Sequence, residues 1–273
     1  MAIIKGGISI SGSVQQTSYY KISGSDNVIA RTKGGPSANK MKTGKQFAKV
    51  RKHQIEWAAC VKFSKGMKLA LGEVYRLGDY NVSPVWNGLG KNMMTMDTEN
   101  PVGERNLNLS LYRQELIDFS LNRNYPFNTV LRVSLEHEIK KEILKATVKL
   151  PRINTEMNLL NIQKLPYFRI IISLGFVSDI LFTPGTGNHF KHYKPTLDQY
   201  NGCNISSFSD WFSTNDIIES QLLEVQLDGS LVPRMTPDTT VLLGIGVEFG
   251  KVGFGGQITP VKRACCGKIL ACV

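Results

Sequence analysis

The sequence has few of the residues from which catalytic and metal sites are usually built. It includes four histidines and five scattered cysteines, and it has no G-x-S-x-G elbow and no zinc knuckle. Gly244, Gly246 and Gly250 have the spacing G-x-G-x-x-x-G, which does not match a nucleotide-binding loop. His189 and His192 lie in a loop-like segment without a carboxylate between them, and we expect them to be surface residues. The sequence therefore predicts no catalytic residue, no metal and no cofactor, and a protein that is not an enzyme.

Long apolar runs are also missing. The most apolar window, residues 167–182, is interrupted by Arg169 and Asp179. It is shorter than the roughly 20 apolar residues that a membrane-spanning helix needs. The first residues become glycine-rich before the apolar part of a secretory signal can form. Together with an odd number of cysteines, this pattern predicts a cytoplasmic protein with reduced thiols and without a membrane partner.

Acidic side chains are scarce in the first quarter of the chain. Residues 1–68 hold 13 Lys and Arg and only 2 acidic residues, whereas residues 69–273 hold 20 of each. The whole formal net charge of +11 therefore belongs to the first quarter. Such an asymmetry indicates an anionic partner, for example nucleic acid, an acidic lipid surface or an acidic patch on a protein.

The basic residues coincide with a helical period that begins at about Thr43. One stripe recurs at helical spacing, and we expect it to pack inward: Phe47, Val50, Gln54, Trp57 and Val61. Basic side chains project from the opposite side, either as a solvated face or as a contact surface. The candidate residues for contact with nucleic acid or an acidic partner are Lys40, Lys42, Lys45, Lys49, Arg51 and Lys52.

The rest of the chain reads as mixed, mainly β structure. Strand-like segments begin the chain, and a second helix over residues 61–77 places Phe63, Met67, Ala70 and Val74 on one face. Five later segments alternate or are continuously apolar, as strands do: ATVKLPRI, YFRIIISLGFV, LLEVQLDG, TTVLLGIGVEFG and GKILACV. In the fourth, glycines on one face leave room for a close backbone approach.

We therefore predict an α+β fold, mainly β. It has an N-terminal strand or hairpin, a basic helical segment and then an antiparallel β-sandwich of immunoglobulin-like or related type. The predicted domains are residues 1–104, which hold the hairpin and the basic region, and residues 105–273, which form the sandwich.

The order of several segments resembles an uncharacterised protein family common in Bacteroidetes. The resemblance is carried by KGGISISGSV, RTKGGPS and KTGKQFAKVR near the start, by GERNLNLS, and by LLGIGVEF and GKILACV near the end. RKHQIEW and ACC depart from the family's pattern. The resemblance implies a soluble, β-rich protein without a signal peptide, and it supplies no activity and no catalytic residues.

Two functions from different classes follow from these observations. The first is a structural or assembly protein that associates with itself through exposed strands. Its basic helix would then meet an acidic surface on a neighbour, or nucleic acid that the assembly encloses. The second is an accessory protein that binds nucleic acid without sequence preference through the basic helix.

Overall fold

The computed structural model describes residues 2–4, 10–21, 27–32, 34–185 and 192–273, with residues 2–4 described by their backbone alone. The chain divides into two compact units, Met1–Arg51 and Lys52–Val273. This division lies well before the predicted boundary at residue 104. The difference arises because most of the helical region packs on the large sheet and shares its apolar core.

Among the described residues, the longest α-helix is α2, with 23 residues. Their bounds are α1 Ala38–Thr43, α2 Ala48–Ala70, α3 Gly72–Tyr75, α4 Ser83–Thr95, α5 Phe127–Val130 and α6 Thr155–Asn158. Short 3-10 turns occupy Lys45–Phe47, Leu109–Leu111, Arg113–Leu116, Lys141–Ile143, Gly229–Arg234 and Phe254–Gly256.

The strands vary from 2 to 14 residues in length. The first four are β1 Ala2–Ile4, β2 Gly12–Val14, β3 Thr17–Lys21 and β4 Val28–Thr32. The next six are β5 Glu136–Lys140, β6 Lys145–Leu150, β7 Ile153–Asn154, β8 Tyr167–Ser178, β9 Ile180–Phe182 and β10 Tyr193–Pro195. The others are β11 Asn204–Phe208, β12 Phe212–Ser213, β13 Ile217–Ile218, β14 Gln221–Gln226, β15 Thr239–Val252, β16 Ile258–Pro260 and β17 Cys266–Cys272.

The first unit is built on a small antiparallel sheet. Its strands lie in the order β1-β4-β3-β2, and β2 and β3 form a hairpin through a two-residue turn at Gln15 and Gln16. The predicted N-terminal hairpin is therefore confirmed.

The second unit is organised around the long antiparallel pair β8 and β15. The two strands are paired from Tyr167 opposite Gly250 to Ser178 opposite Thr239. β11 and β12 extend the sheet beyond β8, while β16 and β17 pair with β15. Both central strands are almost completely buried, as their nearly continuous apolar sequences require.

A second sheet, in the order β14-β6-β5, covers one face of this central pair. Alternate residues of β15 such as Val241, Leu243 and Ile245 belong to one apolar cluster with Val148 of β6 and Val225 of β14. The predicted antiparallel sandwich is therefore confirmed. The five predicted strand segments correspond to β6, β8, β14, β15 and β17.

Helices cover the opposite face of the central pair. Gly175 on β8 lies under the end of α2, where a Cβ atom would come within 2.2 Å of the carbonyl oxygen of Ala70. Gly246 on β15 lies under Leu77, whose Cδ1 would be 2.2 Å from such a Cβ atom. Glycine therefore lets the helical layer lie directly on the sheet, as predicted for Gly244 and Gly246.

The prediction of which residues of the basic helix pack inward is wrong. Val50, Trp57 and Val61 of that stripe are 40%, 46% and 43% exposed. The buried face of α2 instead begins at Glu56, which is fully buried, and continues through Ala59 and Cys60. Glu56, whose ion partners are described below, lies on the same face of α2 as Phe63 and Met67.

The second predicted helical face is confirmed. Phe63, Met67, Ala70 and Val74 are each fully buried and pack against the central sheet. The helix is interrupted after Ala70 because Gly72 has a φ of +47°, which ends α2 and starts α3.

The close helix–sheet approach predicts a large cost for adding one methyl group. Gly175→Ala would force the end of α2 away from β8, and we expect it to reduce the free energy of unfolding by about 1–3 kcal/mol or more. Gly88→Ala is a matched control, because nothing lies within 4 Å of a Cβ atom at that position in α4. The control should stabilise the helix by about 0.5–1 kcal/mol. Equal urea midpoints for the two variants would contradict this account.

Candidate functional site

The lysines predicted to contact an anion are exposed. Lys40 and Lys42 lie in α1, Lys45 lies in the following 3-10 turn and Lys49 lies near the start of α2. Lys52, the first residue of the second unit, is also exposed. No described carboxylate forms an ion pair with any of these lysines. Their ammonium groups are available to an external anion.

Arg51 has a structural role that the sequence did not indicate. Its guanidinium Nη1 donates to the carbonyl oxygens of Met41, at 2.9 Å, and Gly44, at 2.8 Å. These bonds hold the turn between α1 and α2 and position the lysines around it. The structure leaves untested whether any of these basic residues binds a partner, so their contact role stays a prediction.

The first unit has regular structure but little core of its own. Among its described side chains, only Val28 and Ile29 are buried, and α1 buries none. β1 and β2 lie at the two edges of its sheet. A small sheet normally needs an apolar layer over one face to be stable in water. Among its described residues, this unit therefore presents exposed strand edges in addition to its lysines.

The carboxylate of Glu56 in the second unit is buried and accepts four hydrogen bonds. Its Oε1 accepts from the backbone N–H of Gly103, at 2.8 Å, and from Nε of Arg105, at 2.7 Å. Its Oε2 accepts from Nη2 of Arg105, at 2.9 Å, and from Nζ of Lys91. The hydroxyl of Tyr193 donates to the carbonyl oxygen of Arg105, at 3.0 Å. One carboxylate thus joins α2 to α4 and to the loop at residues 103–105.

The ion partners keep Glu56 charged. Burial alone raises the pKa of the carboxyl group, but the hydrogen bonds from Arg105, Gly103 and Lys91 outweigh burial and lower the pKa to about 2. Because both oxygens are already paired, Glu56 has no free lone pair directed at a substrate. We interpret it as a structural link rather than a general base. Its signal in the sequence is its isolation, as it is the single acidic residue between Asp26 and Glu73.

A second buried carboxylate, Glu248, lies on β15 and is organised in the same way. Its Oε2 accepts from Nε of Arg169, at 2.8 Å, and its Oε1 accepts from Nη1 of Arg76. The guanidinium of Arg169 lies 4.5 Å from the ring centroids of both Phe208 and Trp211. These contacts join the helical layer and the outer strands to β15.

Four of the five cysteine side chains do not have the character of nucleophiles. All five are free, and burial raises the pKa of Cys60 and of Cys272 to about 11 each. Burial also raises the pKa of Cys265 and of Cys266. At neutral pH these four groups are therefore thiols, whereas the thiolate is the reactive form.

Within the described ranges, no three His, Cys, Asp or Glu side chains converge as metal ligands would. Of the two histidines considered above, His189 lies outside those ranges. Among the described helices, none combines the length and the apolar character needed to cross a bilayer.

No protein-family model, no curated protein and no solved structure matches this chain. The resemblance to the Bacteroidetes family therefore stays a prediction, and the function has to be argued from the residues of this chain alone.

The Glu56 link predicts a large loss of stability on neutralisation. Glu56→Gln leaves the charges of Arg105 and Lys91 without a partner, and we expect the free energy of unfolding to fall by about 3–5 kcal/mol. Glu104→Gln, an exposed acid on the same loop, is the matched control and should change stability by less than about 0.5 kcal/mol. Urea unfolding at neutral pH measures both.

The same link predicts a specific pH dependence. The folded pKa of Glu56 lies below its usual value of 4.5, so its contribution is present above about pH 4.5 and is lost as the pH falls towards 2. The Glu56→Gln variant should lack this part of the acid transition. An unchanged difference in stability between the two proteins across this range would contradict the assignment.

Proposed function

We propose that this chain is a non-enzymatic structural subunit that associates with copies of itself through its N-terminal unit. The observation that carries the proposal is an ordered four-stranded sheet in which only Val28 and Ile29 are buried among the described side chains. Ordering the backbone of one residue costs about 1–2 kcal/mol of conformational entropy. Burial of two described side chains offsets only a small part of this cost for the sheet. A second copy would supply further apolar contacts or strand neighbours to this sheet.

The edges of this sheet support the same proposal. Natural sheets usually protect their edges with charge, proline or a covering element. β2, which forms one edge, has the sequence Gly12-Ser13-Val14, carries no charge and is exposed throughout. An edge of this kind accepts another strand through backbone hydrogen bonds. The five free thiols fit a cytoplasmic setting, where cysteines stay reduced.

A second candidate function is the binding of a polyanion, with nucleic acid as the obvious class. It is favoured by one specific observation, which is that the lysines of the first unit have no acidic partner among the described residues. In the second unit, Lys91, Lys145, Lys149 and Lys268 are each paired with a carboxylate, whereas exposed lysines such as Lys164 and Lys251 are not. Phosphate contacts by exposed lysines are independent of sequence and sensitive to salt.

The assembly proposal is tested by closing one strand edge. Ser13 pairs with Ser18 next to the turn-closing pair Val14–Thr17. Because hydrogen-bonded and open pairs alternate along an antiparallel ladder, the N–H of Ser13 points outward. Ser13→Pro removes this donor while it retains the internal ladder, and we expect the dissociation constant for self-association to rise at least tenfold. Light scattering after size-exclusion chromatography at several protein concentrations measures the effect.

Ser13→Thr is the control, because threonine keeps the N–H group and suits a strand. It should associate as the parent chain does. A parent chain that stays monomeric at every concentration would overturn the assembly proposal.

The polyanion proposal is tested by neutralising three lysines of the first unit. The triple variant Lys40→Gln, Lys45→Gln and Lys49→Gln should bind a short random-sequence DNA duplex at least tenfold more weakly. Its plot of log affinity against log salt concentration should be shallower by about 3, since each phosphate contact contributes roughly 0.9. Fluorescence anisotropy over a range of salt concentrations gives both values.

The matched control carries the same change of charge on the second unit. Lys140, Lys145 and Lys149 lie on the hairpin of β5 and β6, and each is paired with a glutamate. Replacing these three with glutamine should leave DNA affinity and its salt dependence within twofold of the parent. Equal losses in the two triple variants would show that net charge alone, and not the N-terminal lysines, controls binding.

A further inference from the structure

The turn between β15 and β16 carries a fully exposed aromatic side chain, Phe254. Phe254 is 106% exposed, and Val252 beside it is 53% exposed. The following Gly255 and Gly256 have φ values of +83° and +78°, and nothing lies within 4 Å of a Cβ atom at either position. Glycine is required for this backbone. The turn therefore holds a phenyl ring in solvent at the tip of a hairpin, which we call the Phe254 finger.

The same unit contains a preformed apolar cavity of about 130 Å³. Its walls include Val130, Leu165 and Phe249, and Tyr125 and Ile162, which are 46% and 49% exposed, reach its mouth. The loop that forms one wall is fixed by Asn161, whose amide nitrogen donates to the carbonyl oxygen of Leu165, at 2.7 Å, and whose carbonyl oxygen accepts from the N–H of Leu165, at 2.9 Å. The cavity is therefore held open by the fold.

The cavity and the finger match in size and chemistry. An apolar protein cavity of about 150 Å³ accommodates a benzene ring, and the side chain of Phe254 is a benzene ring on one methylene. Arg263, which also lines the cavity, forms no ion pair with a described residue. A guanidinium group is a favourable neighbour for the face of an aromatic ring.

The finger does not fill the cavity of its own chain. Phe254 is 106% exposed, so its ring contacts almost none of the surface of its own chain. The strand that carries Phe249 in the cavity wall ends at Val252, and Phe254 lies beyond it in the turn. The ring is therefore available to another molecule.

We propose that Phe254 of one copy inserts into the cavity of a second copy of this chain. This inference rests on the proposed self-association and adds a second contact to it. The phenyl ring is the anchor, and the exposed Val252 packs against Tyr125 and Ile162 at the mouth. One phenylalanine buries about 150–250 Å², whereas a stable interface needs at least about 1,200 Å² in total. The finger therefore specifies the geometry of an assembly whose remaining area comes from the N-terminal sheet.

The direct test places a photo-crosslinker at the tip. Phe254→p-benzoylphenylalanine is prepared in the full chain, mixed with ¹⁵N-labelled parent chain and irradiated. Mass spectrometry should find the probe joined to labelled peptides that contain Tyr125 or Ile162. The control places the same probe at Leu111, another exposed apolar side chain, which is 71% exposed. It should give less than one tenth of the yield at those peptides.

The second test changes each partner surface separately. Phe254→Ala, and Ile162→Glu at the mouth of the cavity, should each raise the dissociation constant for self-association at least tenfold. Leu111→Ala and Ile217→Glu are the matched controls, since Ile217 is also 49% exposed. Both controls should leave the dissociation constant within twofold. Circular dichroism confirms that each variant is folded.

The outcomes separate this inference from the assembly proposal. A parent chain that is always monomeric overturns both. A parent chain that associates, responds to Ser13→Pro and is unaffected by Phe254→Ala overturns the finger contact alone. Crosslinks to the same chain only, or binding of Phe254 to phosphatidylserine vesicles without crosslinks between copies, also overturn the finger contact.

Discussion

The second unit depends on burying both faces of the pair β8 and β15. One face packs on the sheet β14-β6-β5, and the other supports the helices. Two layers can reach the pair because residues alternate along β15, with Val241, Leu243 and Ile245 on one face and Gly244 and Gly246 on the other. The glycines place the helical layer against the backbone, where larger side chains would hold it away.

Two buried carboxylates then fix this helical layer in register. Glu56 joins α2 to α4, and Glu248 joins β15 to Arg76 and Arg169. Each carboxylate is neutralised by two cations, so these acids serve the fold. The lysines of the first unit have no such partners among the described residues. The two buried acids of the second unit are therefore used inside the fold, and the proposed contact with a polyanion concerns the unpaired lysines of the first unit.

The sequence predicted the strands well because their pattern is produced by burial itself. β8 and β15 are continuous apolar runs, and β14 alternates strictly. The orientation of α2 was predicted for its second half, through Phe63 and Met67, but not for its first half. There the apolar pattern assigned Trp57 and Val61 to the core, whereas the buried position is Glu56, whose ion partners at residues 91 and 105 are distant in the sequence. The exposure of Phe254 was equally hidden from sequence analysis, because it depends on a turn and not on a period.

The pairing of β8 with β15 has a consequence for how the chain reaches its structure. The closest pair, Ser178 and Thr239, is separated by roughly 60 residues, and the most distant, Tyr167 and Gly250, by roughly 80. Contacts of such long range are slow to form, because the loop must close before any pairing stabilises it. During synthesis, the apolar β8 emerges well before its principal neighbour exists. The apolar strand β8 is therefore exposed to pairing with other chains until β15, near the end of the sequence, has been made.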